Sequence, residues 1–205
     1  MEIDTIFKTP FTKLYWHLAS KELKKTRSII LVSILIALSI VFETFGKMFP
    51  FKPFGRDIYL SFIPLSLIGM LFGPLVGILS GAISDILGFF IFNAGYPFFP
   101  GYTLSAMLSL LIYSIFFYRT KITVFKIFLA KFLVNFLINV LLGSLWMSLI
   151  IDKAFIVLLV GGALKNAILL PFEVLALYYV FLNLIPILKG FNLISLNIPN
   201  KITLF

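Results

Sequence analysis

The chain has no cysteine, one histidine (His17) and only eight acidic residues in 205. Without cysteine there is no disulfide, no thiolate nucleophile and no cysteine-held metal. The lone histidine, beside Trp16 in a basic N-terminal stretch, excludes His-rich metal centres and most histidine acid–base chemistry. Also missing are a G-x-x-x-x-G-K-S/T phosphate loop, an H-E-x-x-H helix and a G-x-S-x-G nucleophile elbow. These gaps predict no ATPase activity of its own, no Ser/His/Asp set, no metal and no cofactor. Charge is scarce too, at 12% of residues. Hydrocarbon takes its place: 61% of residues are hydrophobic, 25 are phenylalanine, and the mean hydropathy is +1.11. A soluble domain of this length cannot bury so much apolar surface, so the composition predicts an all-α integral membrane protein.

Apolar runs of about 17 to 25 residues bounded by charge or turn signals mark membrane-spanning helices. Six lie near 28–46, 58–72, 75–93, 102–118, 124–149 and 154–188, which predicts a six-transmembrane-helix bundle. Only Gly73 and Pro74 separate the second from the third, a very tight turn. The sixth is long and interrupted by Gly161, Gly162 and Pro171. Residues 1–27 then form a basic amphipathic N-terminal segment, 28–190 the transmembrane domain and 191–205 a C-terminal tail. Eleven lysines and arginines fall on one side of this topology and four on the other, which places both termini in the cytoplasm. The net charge of +9 is mostly this asymmetry and does not point to nucleic acid. No cleavable leader is expected. The stretch IFKTPFTKLYWHLASKELKK reads either as an interfacial amphipathic helix or as a basic tail that enforces orientation.

The polar residues inside these runs carry the functional information. Gly77, Gly81 and Asp85 recur every four residues on one helix face, ahead of an aromatic, Pro/Gly-rich loop. The glycines read as tight helix packing. A carboxylate in hydrocarbon is expensive, so Asp85 reads as a site residue. Lys131, Asn135, Asn139 and Gly143 form a second four-residue stripe, and Lys165, Asn166 and Glu173 lie in the last run. One reading is a structural network, with Lys165 paired to Glu173 or Asp85 and the asparagines bonding across helices. Such bonds return only about 0.6 kcal/mol each in membranes, which favours ligand recognition for the outer residues Asn139, Lys165 and Asn166. Lys131 and Asn135 lie deeper and read as structural; Glu173 stays open. Ser33 and Ala37 form a small-xxx-small patch in the first run.

Ser33-x-x-x-Ala37, GPLVGILSGAISDILG, YPFFPGYTLSAMLSLLIY and GALKNAILLPFEVL, with a basic N-terminal segment and no ATPase motif, carry a family likeness. The chain resembles the substrate-binding membrane subunits (S components) of energy-coupling factor transporters, the bacterial vitamin importers, and the last two motifs resemble the folate-specific members. The resemblance implies a non-enzymatic subunit of the bacterial cell membrane, monomeric within its complex, that captures a vitamin at the outer face. It implies association with a transmembrane coupling protein and two cytoplasmic ATPases, and delivery by an ATP-driven toppling motion. Ser33 and Ala37 would dock the partner; here Ser stands where the family pattern A-x-x-x-A has Ala.

Folate chemistry suits the candidate residues. A flat pterin wants an aromatic slot, from Tyr96, Phe98, Phe99 and Tyr102, and amide or carboxylate partners, from Asp85, Asn139 and Asn166. Its two tail carboxylates want cations, from Arg56 and Lys165 with Lys47 and Lys52 nearby. The loop aromatics also fit an interfacial belt. Two alternatives stand beside folate: an S component for another vitamin or precursor, and an integral-membrane enzyme using Asp85 and Glu173.

Overall fold

The computed structural model describes residues 6–7, 9–48, 59–91, 97–151, 153–195 and 197–204, the side chain of Lys47 excepted. Among them the chain forms six helices and no strand, with one isolated bridge between Thr123 and Thr203. In order these are α1 (Lys13–Glu22), α2 (Thr26–Met48), α3 (Phe62–Ile91), α4 (Pro100–Phe117), α5 (Val124–Ile151) and α6 (Phe155–Gly190). The last five are long and apolar enough to cross a membrane.

α3 is two helices in series. At Gly73 φ is 80° and ψ −174°, a backbone open to glycine and closed to L side chains. Pro74, which lacks an N–H, starts the second half where that donor is not needed. Gly69 lies against Ser114, Gly73 against the Tyr118 ring, Gly77 against Ser114 again, and Gly81 against Ala106. The two halves therefore pass α4 in opposite directions, with the reversal at Gly73. Small residues permit this closeness: a Cβ on Gly81 would sit 2.7 Å from the Ala106 carbonyl oxygen. α2 runs alongside the second half of α3, with Ser39 Oγ 3.2 Å from Ser84 Oγ and Glu43 near Gly88.

Thr123 caps α5 by accepting the Lys126 N–H at 3.2 Å. From Val134 to Leu142 that helix widens into a π-helix before closing again. α6 continues through Gly161, Gly162, Pro171 and Pro186 without a break, so the interruption expected there does not occur. One missing N–H is a smaller penalty in an apolar environment than opening the backbone, which would strand several polar groups. The helix stops where Asn192 turns left-handed at φ 52°.

The core lies toward the Gly73 end of the bundle. Tyr113, Phe117, Ile127, Leu177, Phe181 and Ile185 are all buried, with the Phe117 and Phe181 rings edge to face at 5.1 Å. α1 buries Tyr15, Leu18 and Ala19 against this end. The Tyr15 hydroxyl donates to the Ser114 carbonyl at 3.0 Å, and burial pushes its pKa up, so it stays a donor. The C-terminal tail returns to α5, where the Val124 N–H donates to Thr203 O at 2.9 Å.

Candidate functional site: a cavity between aromatic and polar walls

Away from this core the helices part around a cavity of about 890 Å³. That lies within the roughly 300–1,000 Å³ of pockets that enclose drug-sized ligands. Its wall includes Asp85 of α3, Phe98, Phe99 and Tyr102 at the start of α4, Asn139 of α5, and Lys165 and Asn166 of α6. Seven of the nine ligand candidates in the sequence thus share one space. The other two, Arg56 and Tyr96, lie outside the described residues, as does Lys52. Ser33 and Ala37 are elsewhere, exposed on α2 to one side of buried Val32, Ile36 and Ser39.

The deep end of the cavity is an ion-pair network. Lys131 is 2% exposed; its Nζ lies 3.2 Å from Glu173 Oε1 and 3.7 Å from the centre of the Phe62 ring. Asn135 Nδ2 donates to Glu173 Oε2 at 2.6 Å, and Asn139 Nδ2 donates to Asn135 Oδ1 at 3.1 Å. Glu173 is therefore paired through both oxygens, but to Lys131 rather than Lys165. The π-helix explains why the stripe stays together. In an α-helix each four-residue step drifts about 40° around the axis. The wider π turns wind back, so Lys131, Asn135 and Asn139 keep facing one way.

Nearer the loops, Asp85 Oδ2 accepts the Thr103 hydroxyl at 2.6 Å. The Asn166 amide donates to the Gly162 carbonyl at 2.8 Å, which fixes its plane within α6. Lys165 Nζ stands 5.7 Å from the Tyr59 ring centre. Two aromatic groups flank them: Phe98 meets Phe89 at 5.2 Å, and Phe99 lies between Tyr102 at 6.0 Å and Trp146 at 5.5 Å. Gly101 is required beneath Phe99, because a Cβ there would overlap the Phe99 and Trp146 rings. Pro100 fixes the first turn of α4 at this point.

Sequence reasoning missed part of the wall. Ser105, Ser109 and Tyr113, which it did not single out, line the cavity from α4 together with Tyr102. Their spacing of three, four and four is a polar stripe readable without coordinates. Tyr113 is 1% exposed, and its hydroxyl has no hydrogen-bond partner among the described residues. Thr103 and Trp146 act by holding others, the latter donating Nε1–H to Ser105 Oγ at 2.9 Å. Lys153 adds a cation at the cavity's loop end. Arranged this way, the space can take a flat aromatic body, pair its polar edges and attract negative charge.

Comparison with known proteins bears on the chain as a whole. The family model "ECF transporter, substrate-specific component" matches residues 27–188. The folate transporter FolT of Clostridium novyi (strain NT) is 38% identical over 156 residues, covering 76% of this chain and 88% of the relative. FolT of Leuconostoc mesenteroides is 32% identical over 166 residues, covering 77% and 86%. The crystal structure of FolT bound with folic acid matches with a TM-score of 0.66 at 38% identity, over 76% of this chain and 91% of that one.

Proposed function

The chain belongs to the substrate-specific components of ECF transporters, and from that premise we propose that it captures folate at the outer membrane face and delivers it through a larger, ATP-driven complex. The observation that carries the ligand is the cavity itself. It sets aromatic walls, an acid and two amides, and lysines in one space of folate-like chemistry, in a chain 38% identical to proteins named for folate.

Phe98, Phe99 and Tyr102, with Tyr96 from the sequence, form the slot for the pterin ring. Asp85, held by Thr103, meets the pterin's N–H edge, and Asn139 and Asn166 take the remaining donors and acceptors. Lys165, which lines the cavity with Lys153, and Arg56 from the sequence attract the glutamate carboxylates. Tyr113 offers its unpartnered hydroxyl to a ring acceptor. Glu173 belongs to the floor: Lys131 and Asn135 take both its oxygens.

The transport role is in keeping with the architecture. In this reading the two halves of α3 count as separate spans, six in all, and the excess of basic residues supports cytoplasmic termini in a bacterial cell. The cavity then opens outward. Ser33 and Ala37, small and exposed on α2, give the coupling protein a close approach, and that protein with two ATPases supplies the toppling motion. The test is calorimetric titration of the purified full chain, without partners, against folic acid, riboflavin, thiamin and biotin. Stoichiometric binding of folic acid alone is expected, weakened about tenfold or more by Asp85→Asn and by Lys165→Ala. Binding of a different vitamin, or folate affinity unmoved in both variants, would sink the assignment.

A further inference from the structure

The floor of the large cavity has a direction as well as a set of contacts. Glu173 of α6 meets Lys131 Nζ through Oε1 at 3.2 Å and accepts the Asn135 amide N–H through Oε2 at 2.6 Å. Asn135 Oδ1 in turn accepts from Asn139 Nδ2 at 3.1 Å. Every donor in this series points toward Glu173, and chemistry forces that order. A carboxylate oxygen facing an amide accepts, so Asn135 must turn its nitrogen to Glu173 and its oxygen to Asn139. Asn139 must then turn its own nitrogen to Asn135. A proton passed from Lys131 to Oε1 would change nothing, because Oε2 stays an acceptor.

A network that served only to hold α5 to α6 would close on backbone or on other buried groups. Here one end is buried and the other is not. Lys131 and Asn135 are 2% and 3% exposed, whereas Asn139 is exposed and lines the cavity. Among the described residues Asn139 is engaged through nitrogen alone, which leaves Oδ1, on the other arm of its amide, for a ligand. The polar groups nearer the loops are set the same way. Asn166 donates an N–H to the Gly162 carbonyl and retains its own oxygen; Asp85 accepts from Thr103 with Oδ2 and retains Oδ1. Three side chains from three helices thus bring acceptor oxygens to one space.

We propose that Glu173 is a positioning residue for ligand selection: acting through Asn135, it holds Asn139 with its carbonyl oxygen toward the ligand, so that the cavity selects a ring edge rich in N–H donors. The proposal rests on the folate reading above and deepens it. A pterin's 2-amino group carries two hydrogens and stands next to the ring N3–H. Asp85 takes one amino hydrogen together with N3–H, and the Asn139 carbonyl takes the other. A lumazine ring, with a carbonyl in place of the amino group, sets oxygen against oxygen at that point. The flavin edge, acceptor–donor–acceptor, is rejected for the same reason.

The test is a ratio of affinities, which a purely structural role would leave alone. The purified full chain is titrated calorimetrically with folic acid and with its 2-deamino-2-oxo (lumazine) analogue, and a thermal unfolding transition shows that each variant is folded. The wild type is expected to prefer folic acid by about tenfold or more. Glu173→Gln keeps the shape of the side chain, and Lys131 claims the new amide's oxygen. The amide nitrogen then faces Asn135, both asparagines flip, and Asn139 turns N–H toward the ligand. The preference should fall about fivefold or more. Adding Asn139→Asp should restore it, because Asn135 then donates to one carboxylate oxygen and the other faces the ligand. Should Glu173→Gln not fold, Lys131→Met combined with Glu173→Gln takes its place: nothing then orients the amide at 173, and the preference should again fall. Equal wild-type affinity for both pteridines, a loss in the glutamine variants shared equally by both, or a preference that Asn139→Asp does not restore overturns the inference and leaves folate capture intact. Failure of the wild type to bind either compound overturns the folate reading, and this inference with it.

Discussion

At the scale of single residues, Tyr113 and the Lys131–Glu173 pair make opposite demands on the same cavity. The Tyr113 hydroxyl is buried without a partner, an arrangement that costs the empty protein about 1–3 kcal/mol. Tyr113→Phe should therefore raise the Tm of the unliganded protein yet weaken folate about three- to tenfold, because the ligand is what satisfies the donor. Calorimetry on the variant checks this, and unchanged affinity would remove Tyr113 from the contacts. For the ion pair the stability effect runs the other way. Lys131→Met or Glu173→Gln leaves one buried partner uncompensated, a loss of about 3–5 kcal/mol. The double variant should be more stable than either single one in thermal unfolding, since no orphan charge remains. Asp85, Asn139 and Asn166 were legible in the sequence because a polar group amid apolar residues stands out by itself. The partner of Glu173 was not legible. Lys131 and Lys165 are both lysines within reach by spacing, and only the crossing of α5 and α6 decides between them. Tyr113 was hidden for a different reason: a tyrosine in a membrane helix is apolar enough to pass as packing.

At the scale of elements, glycine separates into two kinds. Gly81 lies where α3 meets α4, and an added methyl would press on the Ala106 carbonyl, a backbone atom with nowhere to go. Gly161 in α6 has nothing within 4 Å of the corresponding position. Gly81→Ala should thus lower the Tm markedly. Gly161→Ala should leave it unchanged or raise it, as helix propensity alone favours alanine by about 0.5–1 kcal/mol. Similar effects in both would mean that the α3–α4 contact is looser than this packing. Helices were readable from apolar runs, and so was the turn at Gly73 and Pro74, because glycine before proline in an apolar run has few other uses. Two features were not readable. α6 continues through Pro171 because hydrocarbon penalises a break more than a missing N–H. The π stretch of α5 leaves no mark in the four-residue pattern that it preserves.

For the whole molecule, the reversal at Gly73 decides which faces look outward, and the lack of cysteine makes this simple to test. Were α3 one continuous span, the described helices would cross five times. Lys24 and Lys201 would then emerge on opposite sides, and Lys121, between α4 and α5, would share a side with Lys201 and not with Lys24. With the chain doubling back at Gly73, Lys24, Lys121 and Lys201 fall together and Lys153 faces them across the membrane. The glycine contacts along α4 favour the second arrangement, since Gly69 and Gly77 both meet Ser114 while Gly73 reaches beyond it to Tyr118. Because the chain contains no cysteine, each of these lysines can be replaced singly by cysteine and probed with a membrane-impermeant maleimide on intact cells. Labelling of Lys153→Cys alone is expected. That result would place the large cavity, with Lys153 at its loop end, on the side from which a nutrient arrives. Labelling of Lys24→Cys and Lys153→Cys together, or of Lys121→Cys and Lys201→Cys without Lys153→Cys, would refute the doubled-back α3. A cavity facing the wrong side could not capture folate from outside, so orientation and function stand or fall on the same four positions.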